Sequence, residues 1–235
     1  MTVKEIMTDL EAHGSESVKR IWVKHGYKEP FFGVKIAHLK TIQKKIKKDY
    51  QLARDLYATG NADAMYLAGL IADDEKMTKA DLQNWIKAAV SNSICESIVP
   101  WVATGGLFGH ELAMEWIDSK EDRIAAAGWA TWGGLVSVKP DSELDMAELK
   151  KLLVRVAKTI HAAGNRTRYW MNSFIICVGA YVVPLTDEAI ATAKKIGVVS
   201  VDMNGTACTV PDAVAYIGKV AARGPLGKKK KTVKC

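Results

Sequence analysis

Apolar residues recur at three- and four-residue spacing through almost every segment of the chain, and no stretch sustains the period-two alternation of a half-buried strand. The pattern predicts helices from end to end. Thr2-x-x-Glu5, Thr78-x-x-Asp81, Ser119-x-x-Asp122 and Asp145-x-x-Glu148 each set a capping oxygen three residues before a carboxylate that can answer a free backbone amide, which marks helix starts. Gly14, Gly26, Gly60, Pro100 with Gly105-Gly106, Pro140, Gly164, Pro184 and Gly197 mark the stops. They divide the chain into about a dozen helices, mostly about 10 to 18 residues long.

Helices of this length, joined in pairs by short polar turns, bury their apolar faces only by stacking on neighbours. A pair with its turns occupies about 40 residues, the period of a HEAT-type solenoid, and a compact bundle is the competing arrangement. Val198 to Cys208 departs from the helical pattern, because β-branched residues run into Asn204-Gly205, and is expected to be an ordered loop. The expected organisation is one helical domain over residues 1–223 and a flexible lysine-rich tail over 224–235.

The hydrophobic fraction of 49% and charged fraction of 25% over 235 residues are those of a globular chain with one sizeable core. No apolar run approaches the roughly 18 to 20 residues of a membrane-spanning helix, and the amino end lacks the apolar stretch of a signal peptide. A cytoplasmic protein without membrane contact is expected. Cys95, Cys177, Cys208 and Cys235 are scattered, with no CxxC pair or Cys/His cluster to hold zinc, so reduced thiols and no metal are expected. The net charge of +7 is concentrated in one place: Lys219 to Cys235 holds seven basic residues and no acid, leaving 26 basic against 26 acidic residues before it. Any basic surface on the body is therefore local. The cluster Lys228-Lys229-Lys230-Lys231 suits a phosphate backbone, or serves only to solubilise the chain.

Several residues could carry chemistry. Glu96 interrupts the apolar run Ser93-Ile94-Cys95-Glu96-Ser97-Ile98-Val99-Pro100-Trp101, and a carboxylate there finds a partner or faces a cleft where water or substrate meets it. In the helix expected over Val34 to Lys48, Lys40, Lys44 and Lys47 lie together about 100° round from the apolar face of Leu39, Ile42 and Ile46. That stripe tracks phosphates or is a solvated flank. Trp101, Trp116, Trp129 and Trp132 crowd the middle of the chain, as core fillers or as platforms for a base. Arg166, Arg168, Tyr169, Trp170 and Asn172 cluster at a helix start, where forked guanidinium groups and free amides suit phosphate, or where arginines bridge to acids nearby. The nucleophile, metalloprotease, Walker and dinucleotide motifs are absent, and the five histidines are isolated along the sequence.

Phe32-Gly33-Val34-Lys35-x-x-x-Leu39-Lys40, Glu96-Ser97-Ile98-Val99-Pro100 and the Asp122-Arg123 helix together resemble the AlkD-like DNA alkylation repair family of HEAT-like repeat proteins. The resemblance implies an all-α superhelix, an α-α solenoid whose concave basic face grips double-stranded DNA. It also implies, in active members, excision of positively charged N3- or N7-alkylated purines without metal or cofactor. Glu96 stands where family members place an aspartate, and Arg123 or its neighbour matches a family arginine; the resemblance implies that these two are catalytic. The carboxylate would stabilise an oxocarbenium-like sugar and position water. A family tryptophan one helical turn before the acid is Asn92 here, and a second falls near Ile176. The expected DNA contacts are Lys35, Lys40, Lys44, Lys47, Trp101, Trp129, Trp132, Arg166, Arg168, Trp170, Asn172 and Lys228 to Lys231. The leading expectation is a monomeric, nucleoid-associated alkylpurine DNA glycosylase. The alternatives are a DNA-binding protein for damaged or branched DNA without chemistry, and a protein-binding scaffold.

Overall fold

The expected helices form, and their caps show why. In the computed structural model, which describes residues 1–234, Thr2 and Thr78 each close a full capping box, with Glu5 and Asp81 respectively answering the cap amide. Cys235, expected as a reduced thiol, lies outside the described residues; Cys95, Cys177 and Cys208 are free thiols. Among the described residues there are thirteen α-helices and no strand.

The chain divides into two compact units, one of Met1–Phe108 with Asn204–Thr206 and Lys234, the other of Gly109–Met203 with Ala207–Val233. The first unit holds α1 (Val3–Ala12), α2 (Glu16–Lys24), α3 (Ile36–Ile46), α4 (Tyr50–Ala58), α5 (Ala62–Ile71), α6 (Lys79–Ala88) and α7 (Val99–Gly105). The second holds α8 (Gly109–Ile117), α9 (Asp122–Val138), α10 (Met146–Thr159), α11 (Asn165–Tyr181), α12 (Thr186–Ile196) and α13 (Ala213–Ala221). Several helices two apart in sequence lie side by side. In the first unit α3 packs on α5 and α5 on α7; in the second α9 packs on α11, α11 on α13, and α10 on α12. Successive helices pack as well, α4 on α5, α8 on α9 and α11 on α12, and the two kinds of contact together are what stacked helix pairs produce. Past Asp63 in its first turn, α5 carries no charged residue on any side and is buried all round, and it accepts close neighbours through Gly69, where a Cβ would lie 2.2 Å from Ile98 Cγ2.

Acidic side chains join the helices within each unit. Asp63, in the first turn of α5, accepts from three successive backbone amides, Phe32 (2.6 Å), Gly33 (3.0 Å) and Val34 (3.0 Å). Gly33 permits this because its φ of +79° turns the amides to one side, and a Cβ there would meet Ser15 O at 2.7 Å. Asp81 receives the Thr78 hydroxyl (2.7 Å), the Tyr50 hydroxyl (2.9 Å) and Arg54 Nε (3.0 Å). Burial pushes its carboxyl upward, but these donors outweigh burial and hold it below the ordinary aspartate value of 3.8. A depressed folded-state value contributes stability that is present above 3.8 and is lost as pH falls through the folded value. Asp81→Asn should therefore lower stability by about 1–2 kcal/mol at pH 7. Urea melts across a pH series should show that difference shrinking as the pH drops below 3.8; a constant difference would exclude the electrostatic account.

The segment expected to be a flexible tail is docked instead. In the second unit, Lys230 N–H donates to Ser137 O (2.8 Å), and Lys229 Nζ donates to Val136 O (2.9 Å) and pairs with Asp141 (2.8 Å). In the first unit, Lys234 Nζ donates to Ala72 O (3.2 Å) and to Asp74 (2.6 Å). The physical reason is that Val136 and Ser137 lie in the last turn of α9 and Ala72 caps α5, where carbonyls lack helical partners; the Lys229 and Lys234 ammoniums satisfy those of Val136 and Ala72, and the Lys230 backbone N–H that of Ser137. Burial raises the Asp74 carboxyl and lowers the Lys234 ammonium, so desolvation opposes the pair on both sides.

Candidate nucleic-acid interface

Pro100 determines the setting of Glu96. A proline has no N–H to donate to the carbonyl four residues back, which here is that of Glu96, and its ring crowds that carbonyl. The preceding turn widens accordingly: Ile94–Ile98 is a π turn, with Val99 N–H donating to Ile94 O, and it continues directly into α7. Pro100 is thus inside a helical run, not a stop. Glu96 is 1% exposed, among Ile94, Cys95 and Ile98, which are fully buried. Asn92 lies against Gly26, whose Cβ position would be 3.6 Å from Asn92 Nδ2.

The start of α11 is an anion site that the protein fills itself. Asp122, the first residue of α9, accepts from Arg166 N–H (2.9 Å), Thr167 N–H (2.9 Å) and the Thr167 hydroxyl (2.7 Å). The amides expected to meet a phosphate already have a carboxylate. Ser119, expected to box with Asp122, instead accepts from Glu121 N–H, which frees Asp122 for this task. Gly164 is needed beside it, since a Cβ there would fall 2.1 Å from Asp122 Oδ1. Arg123 is partly exposed, with Nε 3.5 Å from Glu121, a long contact. Arg166 lies over the Tyr169 ring at 5.0 Å, and Arg168 buries its Nε without a hydrogen-bond partner. Trp170 is half-buried against the core.

Three expected contacts are structural. Trp129 is 0% and Trp132 2% exposed, in the core with Phe174 and His110 as their ring neighbours, so neither indole meets a base. Small residues along Ala125-Ala126-Ala127-Gly128 admit this packing; a Cβ on Gly128 would strike Ile117 N at 2.5 Å. Asn172 is buried and donates to Pro211 O (2.9 Å). Trp101 remains partly exposed, edge-on to Tyr66. Beside Trp129 a cleft of ≈ 300 Å³ is lined by Lys120, Asp122 and Arg155, the last tied to Asp118 at 2.7 Å.

The lysines differ among themselves. Lys35, Lys44 and Lys47 are exposed and Lys40 is half-exposed, and among the described residues none of the four pairs with a carboxylate. Lys47 leaves the stripe, because α3 ends at Ile46 and Lys47 caps it with φ +66°. Lys45 is exposed beside them; sequence reasoning passed over it, although it adjoins Lys44. Lys228 and Lys231 are exposed, Lys230 sits over Tyr181 at 5.1 Å, and Lys229 is committed to Asp141.

A family profile described as DNA alkylation repair enzyme matches residues 6–217 of this sequence. The chain belongs to that family. Within the DNA alkylation repair family its relatives include the uncharacterized proteins Lin0241 of Listeria innocua and Lmo0209 of Listeria monocytogenes, each 32% identical over 233 residues, with 95% of this chain and 99% of the relative covered. A solved structure matches with TM-score 0.92 at 36% identity over 100% of both chains. It is described as belonging to a new family of proteins related to the HEAT-like repeat DNA glycosylases with affinity for branched DNA structures. The match establishes the HEAT-like repeat fold for this member of the DNA alkylation repair family.

Proposed function

We propose that this protein binds branched DNA through exposed surface lysines that have no carboxylate partner, and does not excise bases. The observation that carries the reading is the burial of Glu96. An acid that assists glycosidic cleavage must stand where sugar and water meet it, whereas Glu96 is 1% exposed in the folded chain. Asn92 takes the place of an aromatic wall, and Trp129 and Trp132 are committed to the core. The unpaired cations are suited to phosphate, which positions a protein on DNA without reading bases. The similar protein with affinity for branched structures supports the choice of branched over linear DNA.

The test compares a four-way junction with a linear duplex of the same arms by fluorescence anisotropy, alongside mass spectrometry of bases released from methylated duplex. Tighter binding to the junction and no release of 7-methylguanine or 3-methyladenine are expected. Glu96-dependent release would establish the glycosylase alternative in its place. Absence of binding to either DNA would favour a protein-binding scaffold.

A further inference from the structure

Two histidines and an aspartate that the DNA-binding reading does not use meet on the surface of the first unit. Asp9 lies on α1, His13 caps that helix at its C-terminus, and His38 lies on α3. His38 Nε2 is 2.6 Å from Asp9 Oδ2. His13 Nδ1 is 2.8 Å from the backbone O of Asp9 and 3.6 Å from its Oδ1. One nitrogen or oxygen from each of the three side chains lies within 4.8 Å of the others. The imidazole rings stack at 3.7 Å with their planes 18° apart.

We propose that Asp9, His13 and His38 form a binding site for a zinc-class divalent cation. Two imidazole nitrogens and one carboxylate oxygen are a donor set for zinc, nickel or copper, whereas magnesium and calcium require mainly oxygen. Bonds of about 2.0–2.1 Å in a tetrahedral site set ligand atoms roughly 3.3 Å apart. The His13–Asp9 separation of 3.6 Å is already near that value. The His38–Asp9 contact of 2.6 Å must open by less than about 1 Å as the ion replaces the shared proton. Near-parallel rings aim their in-plane lone pairs along lines that do not converge, so one ring must turn. His13 is the one able to do so, because its side chain is 50% exposed and sits at a helix end; in turning it gives up the Nδ1–H hydrogen bond to Asp9 O, and the proton moves to Nε2 so that Nδ1 offers its lone pair. Water takes the fourth position. The ion would tie the end of α1 to the middle of α3.

The site is tested on tag-free, chelator-treated protein by calorimetric titration with zinc chloride, with magnesium chloride as control. One equivalent of zinc and no magnesium should bind, and zinc should raise the melting temperature. Loss of an outer-shell partner alone weakens metal sites about 10–100-fold, so His13→Gln and His38→Gln should each weaken binding by at least about tenfold. Histidine NMR of the unmutated protein provides a second measurement that needs no variant: zinc should shift the ring resonances of His13 and His38 and leave His161 unmoved. No uptake overturns the proposal. So does uptake that leaves those two rings unmoved or is unchanged in both variants, which would place the ion elsewhere.

Discussion

Asp63→Ala should destabilise this protein by about 3–5 kcal/mol, a large share of the 5–15 kcal/mol that holds a typical domain folded. The carboxylate is 3% exposed and is the shared acceptor of the Phe32, Gly33 and Val34 amides. Removing it strands three backbone donors, at about 1–3 kcal/mol for each buried one. For a chain of this size the loss corresponds to a fall in melting temperature of roughly 6–20 °C. Asp63→Asn keeps one oxygen but turns an amide N–H toward backbone N–H groups, so it should recover only part of the loss. Desolvation raises the Asp63 carboxyl above its ordinary value, although the three amides and Lys19 oppose the shift. A raised carboxyl makes the folded state hold the proton longer than the unfolded chain. Its contribution is therefore larger at acidic pH and declines as pH rises from 3.8 through the raised value. The deficit of the alanine variant should narrow over that range, opposite in direction to Asp81→Asn. A loss below about 1 kcal/mol would show that water replaces the carboxylate.

Replacing Lys35, Lys40 and Lys44 together with glutamine should weaken junction binding by roughly 10²- to 10³-fold at 0.1 M salt. Each neutralised phosphate releases counterions and contributes about 0.9 to the slope of log affinity against log salt, so the slope should fall by about 2.7 if all three lysines contact phosphate. Glutamine keeps part of the aliphatic stem, so the fold should persist. The expectation rests on their freedom from carboxylate partners, which leaves the full charge for DNA. Lys229→Gln is the contrasting variant. That ammonium is held by Asp141 and Val136 O, so its loss should move stability more than the salt slope. Unchanged slope in the triple variant would remove α3 from the interface.

Much of the fold was legible because it depends on short-range chemistry. Helix periodicity, the Thr2 and Thr78 boxes and the Asp145 cap each depend on residues within one turn of one another, so the order of residues along the chain contains them. The same is true of Gly33, whose place in the Phe32-Gly33-Val34 motif shows why the resemblance includes it: only a residue tolerant of positive φ turns those amides to Asp63. The sequence also exposed Glu96 as an anomaly, Asn92 as a departure and the unbalanced charge at the C-terminal end.

What it could not contain is which partners long-range packing brings together. Asp122 follows a cap-like serine, yet its carboxylate reaches Arg166 and Thr167, 44 and 45 residues away, and closes the anion site that local reading left open. Trp129 and Trp132 look the same as Trp101 in sequence, and only the packing of α9 on α11 decides that the first two are core. Lys229 and Lys234 follow a glycine- and lysine-rich pattern that reads as mobile, but exposed helix-end carbonyls and nearby carboxylates fix them. His13 and His38, isolated along the chain, stack face to face. By itself the sequence determined an all-helical repeat protein of the DNA alkylation repair family with an acid at Glu96, because local propensity and pattern are properties of neighbouring residues. Only the tertiary structure decided that this acid is closed from solvent, which cations remain free for phosphate and which side chains meet at Asp9, because burial and charge pairing are properties of residues distant in sequence.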